Sequence, residues 1–136
     1  MNFNDAEITG LYVSENGIQD DAPNAPAGGP FNVILEMVAS AGLTGPYSVS
    51  ITCSDLTATA PAPAVLTPAT LNGAGNFGAG TGWTGAGPLA NVFSQTVSVG
   101  PEPAGDKGHI YQYTASLVTS NGQIVSIKQS DPFVLL

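Results

Sequence analysis

Apolar and polar residues alternate with a period of two along most of this chain, which is the pattern of half-buried β-strands. The four clearest stretches begin at Phe31, Tyr47, Phe93 and Tyr111, and each keeps its apolar residues on one face. Weaker patterns predict an opening strand over 7–14, a closing strand over 123–135 and an edge strand over 64–71. Turns rich in glycine and proline separate these stretches, so about seven short strands predict an all-β sandwich.

The segment 106–113 resembles the approach to the sixth strand of the immunoglobulin-like superfamily, where a corner tyrosine lies two residues before a core position. Tyr111 takes the place of that tyrosine, Tyr113 takes the place of the usual cysteine, and 93–99 is similar to the family's fifth strand. The resemblance covers about residues 93–131. A length of 136 residues fits one domain, and with the resemblance it predicts that residues 1–136 form a single immunoglobulin-like sandwich. The resemblance implies no function, because this fold serves many unrelated ones.

The register of the last hairpin can be argued from its apolar residues. A two-residue loop would pair Leu117 with Ser126, whereas a three-residue loop over 120–122 would pair Leu117 with Val125. A shift of one residue moves every side chain to the opposite face, and one buried face favours apolar partners. We therefore predict the second register, with a G1-type bulge at Gly122.

Charge limits the partners that this chain can bind. Only 9% of residues are charged, the net charge is −8, and there is no arginine. Because this charge repels phosphate groups, we expect no nucleic-acid binding. No apolar run is long enough to predict a membrane span. The N-terminus lacks the basic and apolar regions of a signal peptide, so we expect no classical secretory precursor and favour a virion or extracellular assembly over the free cytoplasm.

The sequence shows no catalytic set. His109 is the only histidine, and neither a serine elbow nor a second histidine accompanies it. One histidine and one cysteine do not complete a tetrahedral zinc site, and Cys53 lies on an apolar strand face, which predicts a buried, inert thiol. We therefore predict a protein that is not an enzyme and has no catalytic residues.

One early loop concentrates oxygen ligands. Glu15, Asp20 and Asp21 lie close together in the sequence, with Asn16 and Asn24 beside them. Calcium favours such hard oxygen ligands, but their spacing matches no EF-hand loop, and acidic loops are usually only solvated. Calcium at Glu15, Asp20 and Asp21 is therefore an alternative to a chain with no cofactor.

The segment that carries no charge is the leading candidate for binding. No charged residue lies between Asp55 and Glu102, and the Gly/Ala/Thr-rich centre of this stretch, 72–88, contains the only tryptophan. Long loops in compact domains are usually functional or disordered. Trp83 either folds back to close one end of the sandwich, or anchors an arm on a neighbouring molecule together with Phe77 and Leu89.

These observations favour a non-enzymatic structural or binding module. We expect it to act on protein partners, itself or a larger assembly, such as a virion decoration or tail-associated protein or a surface-array component. The alternative is a carbohydrate-binding module in which Trp83 stacks on sugar rings with Tyr12, Tyr47 or Tyr111. The apolar end, 133–136, either completes the sheet or docks on another chain.

Overall fold

The computed structural model describes residues 5–15, 18–20, 22, 31–85, 87–100, 108–119 and 124–135. Two antiparallel sheets contain all of the strands described, which confirms the predicted all-β sandwich. The strands are β1 (Ala6–Glu15), β2 (Ile18–Gln19), β3 (Phe31–Ser40), β4 (Pro46–Asp55), β5 (Ala60–Pro61), β6 (Gly73–Asn76), β7 (Trp83–Gly85), β8 (Ala90–Val99), β9 (Ile110–Thr119), β10 (Ile124–Gln129) and β11 (Phe133–Val134).

The order of the strands follows the immunoglobulin pattern. The first sheet has the order β2-β1-β3-β8-β7, and the second has the order β10-β9-β4-β5, with β6 beside β4 and β11 beside β9. If β1, β3, β4, β8, β9 and β10 are labelled A, B, C, E, F and G, the sheets read A-B-E-D and G-F-C, with the short β7 in the place of D. The stretches that we compared with the fifth and sixth strands are therefore β8 and β9.

Aromatic rings fill the core near the C-terminal end of the chain. Tyr111, Tyr113 and Phe133 are all buried, and the rings of Tyr113 and Phe133 stack with centroids 5.3 Å apart. The Tyr113 hydroxyl donates a hydrogen bond of 2.6 Å to the carbonyl of Leu66, and burial raises the pKa of this tyrosine. Because β11 pairs with β9, the apolar end completes the second sheet. The upstream residues that the corner at Tyr111 would contact, 101–107, lie outside the described residues.

The strand predicted over 64–71 is wrong. This stretch forms two 3-10 turns, Ala64–Leu66 and Ala69–Leu71, and a proline precedes each of them. Proline fixes φ at a value compatible with the start of a helical turn and donates no hydrogen bond to a sheet. Leu66 and Leu71 are both buried, so the two turns insert apolar side chains into the core without pairing to a strand.

The predicted register of the last hairpin is also wrong. Leu117 pairs with Ser126 and Ala115 pairs with Lys128, after a register shift between Ile124 and Ser126. The predicted bulge at Gly122 lies outside the described residues.

The reason for this register is that β10 is an edge strand and does not cover the core. Its inward side faces β1, where the Ser126 hydroxyl accepts a hydrogen bond of 3.0 Å from the amide of Ile8. Ile127 is consequently on the outer face, with 59% of its surface exposed. The polar Ser126 thus satisfies a backbone amide of β1. A rule that pairs apolar residues with each other does not predict this contact.

Candidate binding surfaces

The Gly-rich segment 72–88 crosses from one sheet to the other. Its first part, β6, pairs with β4 in the second sheet, and its later part, β7, pairs with β8 in the first sheet. Strand pairing therefore anchors both halves, and the turn between them lies against the side of the sandwich. In the structure the Trp83 ring packs back on the sandwich, and its predicted partner binding with Phe77 and Leu89 stays a prediction.

Trp83 lies in an aromatic cluster. Its indole Nε1 donates a hydrogen bond of 3.1 Å to the hydroxyl of Tyr47, and its ring centroid is 5.9 Å from that of Tyr47, 6.2 Å from Phe77 and 5.2 Å from Phe93. Aromatic pairs at these separations contribute beyond their buried area. Phe77 is buried, whereas Trp83 is half-buried, so most of both side chains is occupied within the molecule.

Two glycines of the segment are required by close packing. A Cβ on Gly82, whose φ is +93°, would lie 2.6 Å from the Phe93 ring, and a Cβ on Gly78, with φ of +74°, would lie 2.6 Å from the Asn91 amide nitrogen. Only glycine allows both the positive φ and the close approach. The glycine content here thus reflects a backbone that packs directly on side chains.

Leu89 is the one member of the three predicted partner-binding residues that is largely exposed, at 74%. It precedes β8, and its carbonyl accepts a hydrogen bond of 3.1 Å from the amide of Ala41. On the outer face of the first sheet, Val38, Val92 and Thr84 line a shallow groove of about 450 Å³. Apolar surface is therefore present beside the folded-back segment.

A tyrosine and a carboxylate lie on the outer face of the first sheet. The Tyr12 hydroxyl donates a hydrogen bond of 2.7 Å to Glu36 Oε1, and this bond, together with burial and the carboxylate charge, raises the pKa of Tyr12. Gly10 lies opposite Glu36 at a bulge in β1, where a Cβ would be 3.2 Å from Oε2. The missing side chain leaves room for the carboxylate over the sheet.

The outer face of the second sheet carries no charged residue on β4, β9 or the part of β10 whose side chains are described. Serine, threonine and glutamine fill most of it in register, as in the adjacent pair of Ser50 and Ser116. Its outward residues include Ser48, Ser50, Thr52, Ser54, Gln112, Thr114, Ser116, Val118, Ile127 and Gln129. Lys128 lies on the opposite side of β10. This uncharged face is continuous across three strands.

His109 has a partner that sequence reasoning missed. Its Nδ1 lies 2.7 Å from Oδ2 of the buried Asp55, while Oδ1 of Asp55 accepts hydrogen bonds from the amides of Thr57 and Ala58. The bond from His109, with the two amides, holds the pKa of Asp55 below its ordinary value against the opposing effect of burial. The two residues are 54 positions apart, and only strand pairing of β4 with β9 brings them together.

The hydrogen bonds of Asp55 and His109 hold together the turn that follows β4. Both Asp55 oxygens are bonded, one to the turn amides and the other to the imidazole, and the amide of Ile110 donates to Thr57 Oγ1 at 2.9 Å. The carboxylate thus ties the turn after β4 to the beginning of β9.

Cys53 is a buried free thiol, as predicted. Desolvation raises its pKa to about 12, which removes the thiolate that redox or nucleophilic chemistry requires. A surface groove of about 620 Å³ lies beside it, lined by Leu56, Thr59 and Pro61 among others. The groove is mainly apolar.

The described residues include only part of the predicted calcium-binding set. Glu15 ends β1, and Asp20 Oδ1 accepts a hydrogen bond of 2.9 Å from the amide of Ala22. Asp21, Asn16 and Asn24 lie outside the described residues. The described part of the chain holds no group of three histidine, cysteine or acidic residues arranged for a metal ion. The calcium site stays a prediction.

Comparisons with known proteins show the fold alone. No family model and no curated protein matches the chain. Among solved structures, it is similar over 98% of its length to a bacterial adhesin from Mobiluncus mulieris with intramolecular disulfide, isopeptide and ester bond cross-links, at a TM-score of 0.52 and 8% identity. A glycosyl hydrolase family 2 member from Bacteroides cellulosilyticus matches 91% of the chain at a TM-score of 0.47 and 12% identity.

The chain spans less than two thirds of either of these proteins, 58% of the adhesin and 15% of the hydrolase. The similarity to the adhesin supports a β-sandwich fold. Among the described residues, no helix has the length and apolarity to cross a membrane.

Proposed function

We propose that this chain is a non-enzymatic binding module that works as a subunit of a larger assembly, such as a virion decoration or tail-associated protein or a surface-array component. The observation that supports the proposal is the uncharged outer face of the second sheet, in a protein whose net charge is −8. Interface centres are depleted in charged residues in the same way.

The physical argument concerns desolvation. Burying a charge without a partner costs far more than burying a hydroxyl that finds a new hydrogen bond. The hydroxyl groups around Ser50 and Thr114 can exchange water for partner groups at little cost, while the exposed Ile127 adds apolar area at the rim. Because β4 and β9 have ten residues each and β10 has six, the face covers at most roughly 15 by 33 Å. A standard interface buries about 800 Å² on each partner, so the contact extends beyond this face onto its rim.

The experiment measures the native size of the chain in extract of its source cells at its natural level. We expect the chain to elute at many times its own mass of 13.7 kDa. The double variant Ser50→Lys, Ser116→Lys places two charges at the centre of the face and should release the chain. Thr9→Lys, an exposed change on the first sheet, is the matched control and should leave the complex intact. Elution of the unmodified protein as a free 13.7 kDa chain would contradict the proposal.

One observation favours a second candidate function, carbohydrate binding. Tyr47 and Tyr111 are buried and Trp83 packs inside the aromatic cluster, but Tyr12 is half-exposed beside a polar groove of about 290 Å³. Gln19 and Gln129 line the same groove and offer hydrogen bonds to a sugar. A glycan array tests this candidate: binding that is lost in Tyr12→Ala and retained in Tyr12→Phe supports it, and an array without binding counts against it.

A further inference from the structure

One carboxylate stands alone on the outer face of the first sheet. Among the residues of β3, β8 and β7, Glu36 is the one that carries a charge, and both β1 and β8 pair with its strand. Among the described residues, no cation lies within ion-pair distance of this carboxylate. A single charge on an otherwise uncharged surface favours a partner that supplies the opposite charge.

The neighbours of Glu36 hold its carboxylate in one orientation. The Tyr12 hydroxyl donates its proton to Oε1 at 2.7 Å, so this oxygen already has a partner. Gly10 lies opposite Glu36 at the bulge of β1, where a Cβ would be 3.2 Å from Oε2. Because glycine has no side chain, β1 does not fill the space beside Oε2. Oε2 is therefore the oxygen that a ligand can reach.

Glu36 lies between two grooves, and Thr9 lines both of them with it. The larger groove, of about 450 Å³, is mainly apolar and includes Val38 and Val92. The smaller groove, of about 290 Å³, is mainly polar and extends towards Gln129 on β10. A group that binds at Glu36 therefore meets apolar surface on one side and polar surface on the other.

The dimensions of the larger groove fit a lysine side chain. Val38 follows Glu36 by two residues on β3 and pairs with Val92 of β8, so the two valines lie roughly 7 Å from Glu36 along the strand. A four-carbon stem can cover the valines while its ammonium group reaches Oε2. The three ammonium protons can be met by Oε2, by the phenol oxygen of Tyr12 and by the hydroxyl of Thr9.

The carboxylate of Glu36 suits an ammonium group better than a guanidinium group. The fork of arginine binds a carboxylate through both oxygens, but Oε1 already accepts the proton of Tyr12. Lysine is a point charge that needs only one oxygen. The net charge of −8 adds a long-range attraction for any basic partner, which the local geometry then selects.

We propose that Glu36 and the larger groove bind a lysine side chain of a partner protein, with the ammonium group at Oε2 and the stem on Val38 and Val92. Thr84 and Ser94 line the same groove and offer hydroxyl groups to the backbone beside that lysine. The site lies on the opposite sheet from the uncharged face, so it is a second surface that goes beyond the proposed function and does not depend on it.

NMR titration of the isotope-labelled protein with N-acetyl-lysine methylamide tests the site directly. For a ligand of this size we expect a dissociation constant of roughly 1 mM. The amides of Gly10 and Gly82, which line the two grooves, should shift on binding, whereas the amide of Gly108 before β9 should not. The norleucine analogue, which has a stem but no ammonium group, should bind about fivefold more weakly.

Glu36→Gln tests the charge and keeps an oxygen that can accept the Tyr12 proton, so the fold should be unaffected. It should weaken binding of the lysine compound about fivefold. Glu7→Gln is the matched control, because it makes the same change of net charge at an exposed position that lines neither groove. It should change binding less than about twofold. Equal losses in the two variants would reveal long-range attraction alone and overturn the site.

Tyr12→Phe tests how the tyrosine positions the carboxylate. Without the hydroxyl, Oε1 is free and the arginine fork can use both oxygens. The preference for the lysine compound over N-acetyl-arginine methylamide should therefore disappear or reverse, which a general loss of structure would not cause. A preference for the arginine compound in the unmodified protein would overturn the assignment to lysine.

Two further measurements separate the alternatives. Butylammonium has the stem and the charge without the peptide groups, and binding as tight as that of the lysine compound would contradict a protein partner. Thr9→Lys places the chain's own ammonium group beside Glu36 and should abolish binding of the lysine compound, while the large complex in the source extract stays intact. If neither Gly10 nor Gly82 shifts up to about 20 mM of the lysine compound, the site is overturned, and the elution test of the proposed function is unaffected.

Discussion

Different forces hold two connections of the sandwich, the segment 72–88 that precedes β8 and the turn 56–59 that follows β4. The segment 72–88 contains no charge and is fixed by aromatic rings that pack on glycines, as Phe93 does on Gly82. The turn 56–59 is fixed by the buried carboxylate of Asp55, which bonds to two amides and to His109. Shape therefore controls the first connection and charge the second. Added side-chain volume in the first connection should therefore lower the free energy of unfolding, whereas the contribution of the second connection should depend on pH.

The largest expected effect comes from Gly82→Ala. The new methyl group would lie 2.6 Å from the Phe93 ring and 3.2 Å from the Ser94 carbonyl, at a φ of +93°. Backbone strain and overpacking together should cost about 3 kcal/mol of unfolding free energy. Urea unfolding measures the loss, which should not change between pH 5 and pH 8 because the atoms nearest to the new methyl group belong to the Phe93 ring and the Ser94 carbonyl, which do not titrate.

Gly80→Ala is the control that separates shape from backbone strain. Gly80 has nearly the same φ, +92°, but nothing lies within 4 Å of its added Cβ. This variant should cost only about 1 kcal/mol. Equal losses in the two variants would show that the segment is held by backbone conformation alone and that the packing on Phe93 contributes nothing.

The strands were predictable where a single face decides them. Alternation identified the four main strands, because one side of each meets the core. The single closing strand predicted over 123–135 is divided in the structure into β10 and β11. Alternation failed over 64–71, where two prolines favour 3-10 turns although Leu66 and Leu71 are buried. Alternation also led to the wrong register at Ser126. The register of this edge strand depends on the hydrogen bond that Ser126 accepts from Ile8 of β1, and not on a buried face.

The candidate sites were predictable only in part, for a related reason. Composition marked the uncharged stretch and Trp83, but not that the indole donates its hydrogen bond to Tyr47. No local signal joins Asp55 to His109, because their contact exists only through the β4–β9 pairing.

The second effect concerns pH and the Asp55 turn. The pKa of Asp55 is lower in the folded protein than its ordinary value of 3.8, chiefly through the bond from His109. The folded state therefore binds fewer protons than the unfolded state between these two values. The contribution of Asp55 is fully present above the ordinary value and is lost as pH falls through the folded pKa.

Urea unfolding midpoints between pH 2 and pH 7 measure this contribution. Asp55→Asn should lower the midpoint at neutral pH and approach the unmodified protein at the acid end. His109→Gln should raise the pKa of Asp55 and move the acid transition to higher pH. Parallel midpoint curves for Asp55→Asn and the unmodified protein would refute the assignment of this turn to charge.

The smallest effect distinguishes the charge that holds the turn from the strain within it. Thr59 has a φ of +53° and is the one non-glycine residue with positive φ among those described. A β-branched residue is disfavoured in this conformation, whereas glycine is not. Thr59→Gly should therefore stabilise the protein by about 0.5 kcal/mol, after the larger entropy of glycine in the unfolded state is subtracted. Thr59→Ala keeps most of the strain and should be nearly neutral.

The Asp55→Asn background tests whether strain and charge act independently in this turn. A stabilisation by Thr59→Gly that persists in that background would show that they do. A gain that disappears there would mean that the carboxylate imposes the strained conformation.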